Sequence, residues 1–241
     1  MTPDSQTHDL IIAIDGPSGA GKSTLGRMIA RTLNLLYLDT GAMYRAAALA
    51  VLRAGVNTND AAASASVVAR ANINLAGDPD SLRVTLDDRD VSEEIRTEEV
   101  SQSASVISTI PEVRRILVQR QREMGAHGGV VLDGRDIGTI VFPRADVKFF
   151  LTAEPEARAR RRYDEERVRA RDVTFEQTLE DINRRDRRDS TRQTSPLAIA
   201  EDAIVLDSTE LSLEDVYERM MNTIRERLRE RPDKQTDNPT V

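Results

Sequence analysis

Gly16-Pro17-Ser18-Gly19-Ala20-Gly21-Lys22-Ser23, with Thr24 following, is the stretch on which the reading of this chain turns. It has the form G-x-x-x-x-G-K-S, and its flanks count as much as its letters. The apolar run Leu10-Ile11-Ile12-Ala13-Ile14 precedes it, and a helix-compatible run, residues 24–33, follows it. Strand, glycine-rich loop and helix in that order make a phosphate cradle. Glycines let successive N–H groups turn inward, and the new helix adds its positive end. Lys22 is expected to reach the outer phosphates of a nucleoside triphosphate, and the Ser23 hydroxyl to take a place on Mg²⁺. An ordinary glycine-rich turn would need motif and context to agree by accident.

The rest of the composition bounds the answer. At 241 residues the chain is one large domain or a core with insertions, long enough to bury its own core. The lack of cysteine excludes disulfides, thiolate metal sites and cysteine nucleophiles. A net charge of −7 argues against a nucleic-acid or anionic-membrane binder. No apolar stretch approaches spanning length, and residues 1–9 lack the regions of a signal peptide. The expectation is a soluble cytoplasmic protein. Lysine occurs only at Lys22, Lys148 and Lys234 among 34 basic residues, so Lys22 stands where arginine is this chain's default. A compact ammonium is what a phosphate-cradling loop accommodates. The two histidines, His8 and His127, sit in no ligand cluster.

Five short apolar runs recur, at residues 10–14, 35–38, 130–132, 147–151 and 203–206, each followed at once by a polar residue (Asp15, Asp39, Asp133, Thr152, Asp207). Near-continuous runs predict strands covered on both faces. With helical patterns between them, they predict an α/β fold: a parallel five-stranded sheet flanked by helices, of the P-loop NTP hydrolase-like type, with ligands at the carboxyl ends of the strands. Spacing is uneven. About ninety residues separate the second and third runs, far more than a crossover needs. The pattern there predicts a helix over 42–54, a second capped by Asn59 or Asp60, a small antiparallel ribbon around 82–91, and helices over 97–107 and 111–124. A second departure, residues 155–192, reads as a charged helical hairpin. It carries Arg158, Arg160, Arg161, Arg162, Arg167, Arg169 and Arg171, a break at Asp172-Val173, and a Thr174/Gln177 capping box. The core is then residues 9–41, 128–154 and 193–230, the insertion 42–127, and polar tails 1–8 and 231–241.

Three constellations carry chemistry. Asp39-Thr40-Gly41-Ala42-Met43-Tyr44-Arg45 starts a helix at the sheet's ligand edge, with free N–H groups and with Tyr44 and Arg45 one turn on. Asp133-Gly134-Arg135-Asp136-Ile137-Gly138-Thr139 puts two acids and an arginine at a strand end. Asp133 suits the acid that orients magnesium, and Arg135 a bidentate phosphate grip; an Arg135–Asp136 surface pair is the bland alternative. Arg185, Asp189 and Arg192 share a helix face if the helix persists, as do Arg158 and Arg162. Such a hairpin fits an exposed, mobile flap closing on phosphates, or a solvated surface paired with Asp164, Glu165 and Glu166.

With these stretches in place the chain closely resembles the bacterial cytidylate kinases, of the nucleoside monophosphate kinase family. The resemblance runs over about residues 9–229 and rests on residues 14–24, 38–45, 133–143 and Arg184-Arg185-Asp186-Arg187-Arg188-Asp189, with Val91-Ser92-Glu93-Glu94-Ile95-Arg96-Thr97 in the insertion. It implies that 42–127 is a monophosphate-binding insertion and 155–192 a lid. It implies that Thr40, Arg114 and Asp136 contact cytosine, that Ser105, Arg185 and Asp189 hold the ribose, and that Arg45, Arg135 and Arg192 hold the acceptor phosphate. Arg158 and Arg162 become lid arginines on the ATP side. Thr40 stands where some members have serine, and Ser23 where some have glycine. The expected reaction is transfer of the γ-phosphate of ATP, with Mg²⁺, to CMP or dCMP, by a monomer without nucleic-acid or membrane partners. A shikimate-type kinase would not need the long insertion. A GTPase-like switch would want an N-K-x-D motif, and no asparagine here precedes a lysine. A nucleic-acid binder would want basic charge and interleaved aromatics.

Overall fold

The computed structural model describes residues 9–168 and 173–230. The two tails, Arg169, Arg171, Asp172, His8 and Lys234 lie outside the described residues. In chain order the elements are β1 (Ile11–Asp15), α1 (Lys22–Leu33), β2 (Leu36–Asp39), α2 (Thr40–Arg53), α3 (Ala61–Arg70), β3 (Ile73–Ala76), β4 (Arg83–Leu86), β5 (Arg89–Asp90), α4 (Glu98–Ile107), α5 (Pro111–Met124), β6 (Val130–Gly134), β7 (Val147–Thr152), α6 (Pro155–Val168), α7 (Phe175–Thr191), β8 (Ile204–Asp207) and α8 (Leu213–Glu230). A π turn spans Ile137–Val141.

The main sheet is parallel, in the order β2-β6-β1-β7-β8. β1 lies at its centre, and β6 and β7 pair with it on either side. The strand before the phosphate loop is therefore flanked by strands that come much later in the chain, which is where an α/β sheet opens a crevice at its carboxyl edge. Side chains alternate between two cores. Ala13, Leu38, Val130 and Leu132 join α2, α4 and α5 on one face. Ile12, Ile14, Val131, Phe149 and Leu151 join α1 and α8 on the other. Both faces being covered explains why these strands read as unbroken apolar runs. β8 departs from that expectation. It pairs only with β7 and alternates half-buried with exposed residues, Val205 being 49% exposed. It is an edge strand with one covered face.

The insertion builds its own small antiparallel sheet, β3-β4-β5. Its first strand, Ile73–Ala76, is an addition to the expected ribbon; the alternation Ile73-Asn74-Leu75-Ala76 was its signal. Helix α2 is rich in buried alanines (Ala42, Ala46, Ala47, Ala48, Ala50), whose small side chains let α4 and the insertion close over it. In the hairpin, Thr174 and Gln177 form the expected capping box at the start of α7. No helix among the described residues is long and apolar enough to cross a membrane.

Candidate functional site

Three strand ends, those of β1, β2 and β6, deliver the site. After β1 the chain turns at Gly16 with φ +144°, and a Cβ there would lie 2.0 Å from the Leu151 carbonyl oxygen. Only glycine fits so close to the neighbouring strand. Gly21, at φ +91°, caps α1 without a side-chain bond to the helix. Residues 18–24 line a cleft of about 570 Å³, and Gly16 and Pro17 are not part of its wall. Lys22 is 6% exposed and donates from Nζ to the Pro17 carbonyl at 2.7 Å. Burial, then the neighbouring Arg135 guanidinium, push its ammonium below the usual lysine range, against the pull of Asp133 and Asp15. Such an ammonium gains from an anion arriving beside it.

Asp133, from the end of β6, is the floor. The Ser23 hydroxyl donates to its Oδ2 at 2.8 Å and the Tyr37 hydroxyl, from β2, to its Oδ1 at 2.7 Å. Thr40 donates to the Asp133 carbonyl at 2.7 Å. Burial first, then the Asp39 charge, push the Asp133 carboxyl above the usual range. Ser23 Oγ and Asp133 thus offer two adjoining oxygen donors, the ligand chemistry a hard cation takes. Among the described residues there is no cluster of three or more acidic, histidine or cysteine side chains fit to hold a metal by itself. An ion there would draw most of its ligands from phosphates and water, as Mg²⁺ commonly does.

Beyond Gly134 the cleft continues into a second cavity of about 130 Å³, the two sharing Gly41, Arg45, Ser101, Gly134, Arg135 and Arg185. This second cavity brings together Thr40, Tyr44, Arg45, Ser105, Arg114, Arg135, Asp136, Arg185, Asp189 and Arg192. Arg114, from α5 and 2% exposed, pairs with Asp136 and donates to the Ser108 carbonyl at 3.2 Å. Its guanidinium lies 5.6 Å from the centre of the Tyr44 ring. Arg135 does not pair with Asp136; its Nε donates to Asp189 Oδ2 at 2.8 Å across to α7. Burial alone would lower the Arg135 pKa, but Asp189 reverses that and holds it above the ordinary value. Arg45 pairs at 3.1 Å with Asp39, which also caps α2 through the Ala42 amide. Ser105 Oγ accepts from Arg188 at 2.6 Å.

Arg192 corrects an expectation. It was to lie on an exposed flap; it is 8% exposed, just past the end of α7 in extended backbone, with Nε bonded to the Ser195 carbonyl. Burial, and then repulsion from Arg114, lower its pKa. Three buried polar atoms in this pocket have no hydrogen-bond partner among the described residues: Tyr44 OH, Arg114 Nε and Arg192 Nη2. Burial pushes the Tyr44 hydroxyl up to about 12, so it stays a neutral donor. Buried polar groups are rarely left unpaired, and three in one cavity call for polar ligand atoms.

Of the hairpin arginines, Arg158 is built into the loop's rim. It is buried and donates to the Ala153 carbonyl at 2.8 Å and the Ser18 carbonyl at 3.1 Å, and it pairs with Asp186 at 2.6 Å. Arg162 pairs with Glu166 at 2.7 Å and lies 3.7 Å from Glu165, with its side chain on the cleft. Arg185 pairs with Asp181 at 3.0 Å and reaches Glu98 of the insertion at 3.5 Å.

Sequence reasoning missed several participants. Asp39 had a signal, since it heads the quoted 39–45 stretch. Asp186 and Arg188 lie in the quoted 184–189 stretch and Arg161 among the hairpin arginines, but their partners come from across the fold: Arg161 Nη1 with Ser208 Oγ at 3.0 Å, Arg158 with Asp186, Arg188 with Ser105. Tyr37 and Ser101 had no signal.

The family model and the curated relatives agree on one family. The cytidylate kinase family model matches residues 12–226. A cytidylate kinase from a Geobacter species is 49% identical over 221 residues, covering 92% of this chain and 95% of that one. A cytidylate kinase from Caldanaerobacter subterraneus is 52% identical over 214 residues, covering 89% and 94%. Among solved structures, a shikimate kinase from Bacteroides thetaiotaomicron is similar with a TM-score of 0.48 at 15% identity, covering 90% of this chain and 98% of that one. With the family model spanning nearly all of the described residues and relatives near half identity, this chain belongs to the cytidylate kinase family of nucleoside monophosphate kinases.

Proposed function

We propose that the chain transfers the γ-phosphoryl group of ATP to CMP and dCMP, giving ADP and CDP or dCDP, as a cytoplasmic monomer. The observation that carries the acceptor side is the buried Arg114–Asp136 pair with three unpartnered polar atoms beside it. An acid acceptor next to a guanidinium donor matches cytosine's exocyclic amine and ring edge. Uracil, which carries an oxygen in place of that amine, would leave Asp136 facing another acceptor. Thr40 and Tyr44 complete the base end. Ser105, Arg185 and Asp189 take the ribose, and Arg45, Arg135 and Arg192 take the acceptor phosphate.

On the donor side, the amides of residues 18–24 and Lys22 cradle the phosphates. Ser23 and Asp133 are the residues that would hold Mg²⁺, which would supply neutralisation of the donor's phosphate charge when bound with ATP. An ionised phosphate oxygen of the acceptor attacks the γ-phosphorus while the bond to the β–γ bridging oxygen breaks, and that oxygen leaves as ADP. Two anions meet in this step, so the protein's work is positioning and cationic stabilisation. Arg135 and Arg192 supply the cation from the acceptor side. Arg162 supplies it from the hairpin, and Arg158 holds the rim of the loop.

Coupled measurement of ADP release with CMP, dCMP, UMP and AMP tests the reading. CMP and dCMP are expected to lead. If UMP or AMP beats CMP, the base assignment is wrong.

A further inference from the structure

Asp15 ends β1 directly before Gly16, yet it lines neither the loop cleft nor the acceptor cavity. Its carboxylate is engaged elsewhere. Oδ1 accepts the Ile137 amide at 2.8 Å and Oδ2 the Gly138 amide at 2.7 Å. These amides open the π turn Ile137–Val141, which begins one residue after Asp136. Single π turns are rare and concentrate at functional sites. The far end of the turn is held as well: Arg122 of α5 donates from Nη2 to the Ile140 carbonyl at 2.6 Å and from Nε to the Val141 carbonyl at 3.0 Å. A carboxylate thus clamps the amide end and a guanidinium the carbonyl end. Gly138 also lets the turn pack closely on Lys148, since a Cβ there would lie 3.1 Å from Lys148 Cδ.

The chemistry of the clamp is specific. Burial pushes the Asp15 carboxyl up to about 6, so its placement is unfavourable for the charge and the two amide bonds work against that. An asparagine of the same shape would accept only one of the two amides and turn its own NH₂ on the other. The side chain that suits this place is one that accepts twice. What the clamp fixes is the backbone that carries Asp136, and through it the pairing with Arg114.

We propose that Asp15 is a positioning residue for acceptor-base selection: by clamping the π turn it fixes the Asp136 carboxylate against Arg114 without touching either nucleotide. The proposal rests on the acceptor assignment above. The wild-type preference for CMP over UMP tests that assignment, and the change in preference between variants and wild type tests the proposal.

The variants are Asp15→Asn and, because a core change can impair folding, Arg122→Met, whose side chain is exposed and loosens the same turn from its other end. In Asp15→Asn the KM for CMP is expected to rise about tenfold and the CMP-over-UMP ratio of kcat/KM to fall about tenfold, with KM for ATP changed less than about twofold; tenfold corresponds to about 1.4 kcal/mol. Arg122→Met should shift the same two quantities in the same direction by about threefold. Equal rises in KM for ATP and CMP, or an unchanged CMP-over-UMP ratio in whichever variant folds, would overturn the proposal, since a merely structural carboxylate lowers stability without redistributing loss between the two substrates.

Discussion

The two halves of the site are built on opposite plans. The donor half, residues 16–24, is one contiguous segment whose cradle is made of backbone, and its distinctive side chain, Lys22, bonds within the segment, to Pro17. The acceptor half is made of side chains from α2, α4, α5, the turn after β6, and α7. Its charges pair across those segments, Arg114 with Asp136 and Arg135 with Asp189. Backbone amides hold any polyphosphate alike, whereas side chains drawn from five places can be matched to one small molecule. The difference locates generality in the loop and selectivity in the fold.

Breaking a cross-segment pair should therefore hurt twice. Asp136→Ala leaves the Arg114 guanidinium buried without its carboxylate, and removal of one partner of a buried pair costs about 3–5 kcal/mol. A fall in thermal stability together with loss of CMP-over-UMP preference is expected. Preserved preference in a folded protein would move base selection elsewhere. Lys22→Ala should hurt once. Its ammonium is already disfavoured by burial and by Arg135, so stability should hold within about 1 kcal/mol while kcat falls about 10²- to 10³-fold, the loss typical when one charge-stabilising group is removed. A large drop in melting temperature would make Lys22 structural.

The same contrast explains what could be read from residues alone. The loop was legible because its function lies within nine consecutive positions, and the central strands because burial on both faces writes them as unbroken apolar runs. β8 read like the others from its apolar letters, but the chain does not say which strand will be at the edge. Arg135 was ambiguous for a related reason: Asp136 adjoins it in sequence, while its partner, Asp189, arrives from another element. Tyr37 looked like one more apolar strand residue until its hydroxyl was found on Asp133. Local chemistry is encoded locally; pairing across the fold is not.

Arg192→Ala sharpens the comparison from the acceptor side. On an exposed flap, Arg192 could be removed at little cost in stability. The same outcome is expected for a different reason: Arg192 is buried, but burial and the Arg114 charge both work against its own charge, so removal relieves repulsion as it deletes contacts. Affinity for CMP should fall about tenfold to a hundredfold, the worth of one charged hydrogen-bonding group. Thermal stability should change by less than about 1 kcal/mol. Stability collapsing with CMP affinity intact would mean that the unpartnered Nη2 is not aimed at a ligand.

The smallest effect is expected where the two plans meet, at the contact between α7 and the insertion. Arg185 divides its guanidinium between Asp181 at 3.0 Å and Glu98 at 3.5 Å, and Glu98 is itself half exposed. Exposed pairs contribute about 0.2–1 kcal/mol and weaken with salt. If Arg185 must release Glu98 to meet the acceptor's ribose, Glu98→Gln removes a competitor. The KM for CMP should then fall by at most about fivefold, and the advantage should vanish at high salt, with melting temperature nearly unchanged. A KM that rises instead would mean that Glu98 helps to hold Arg185 in its binding posture, making Glu98 a participant in acceptor binding rather than a resting place for the hairpin.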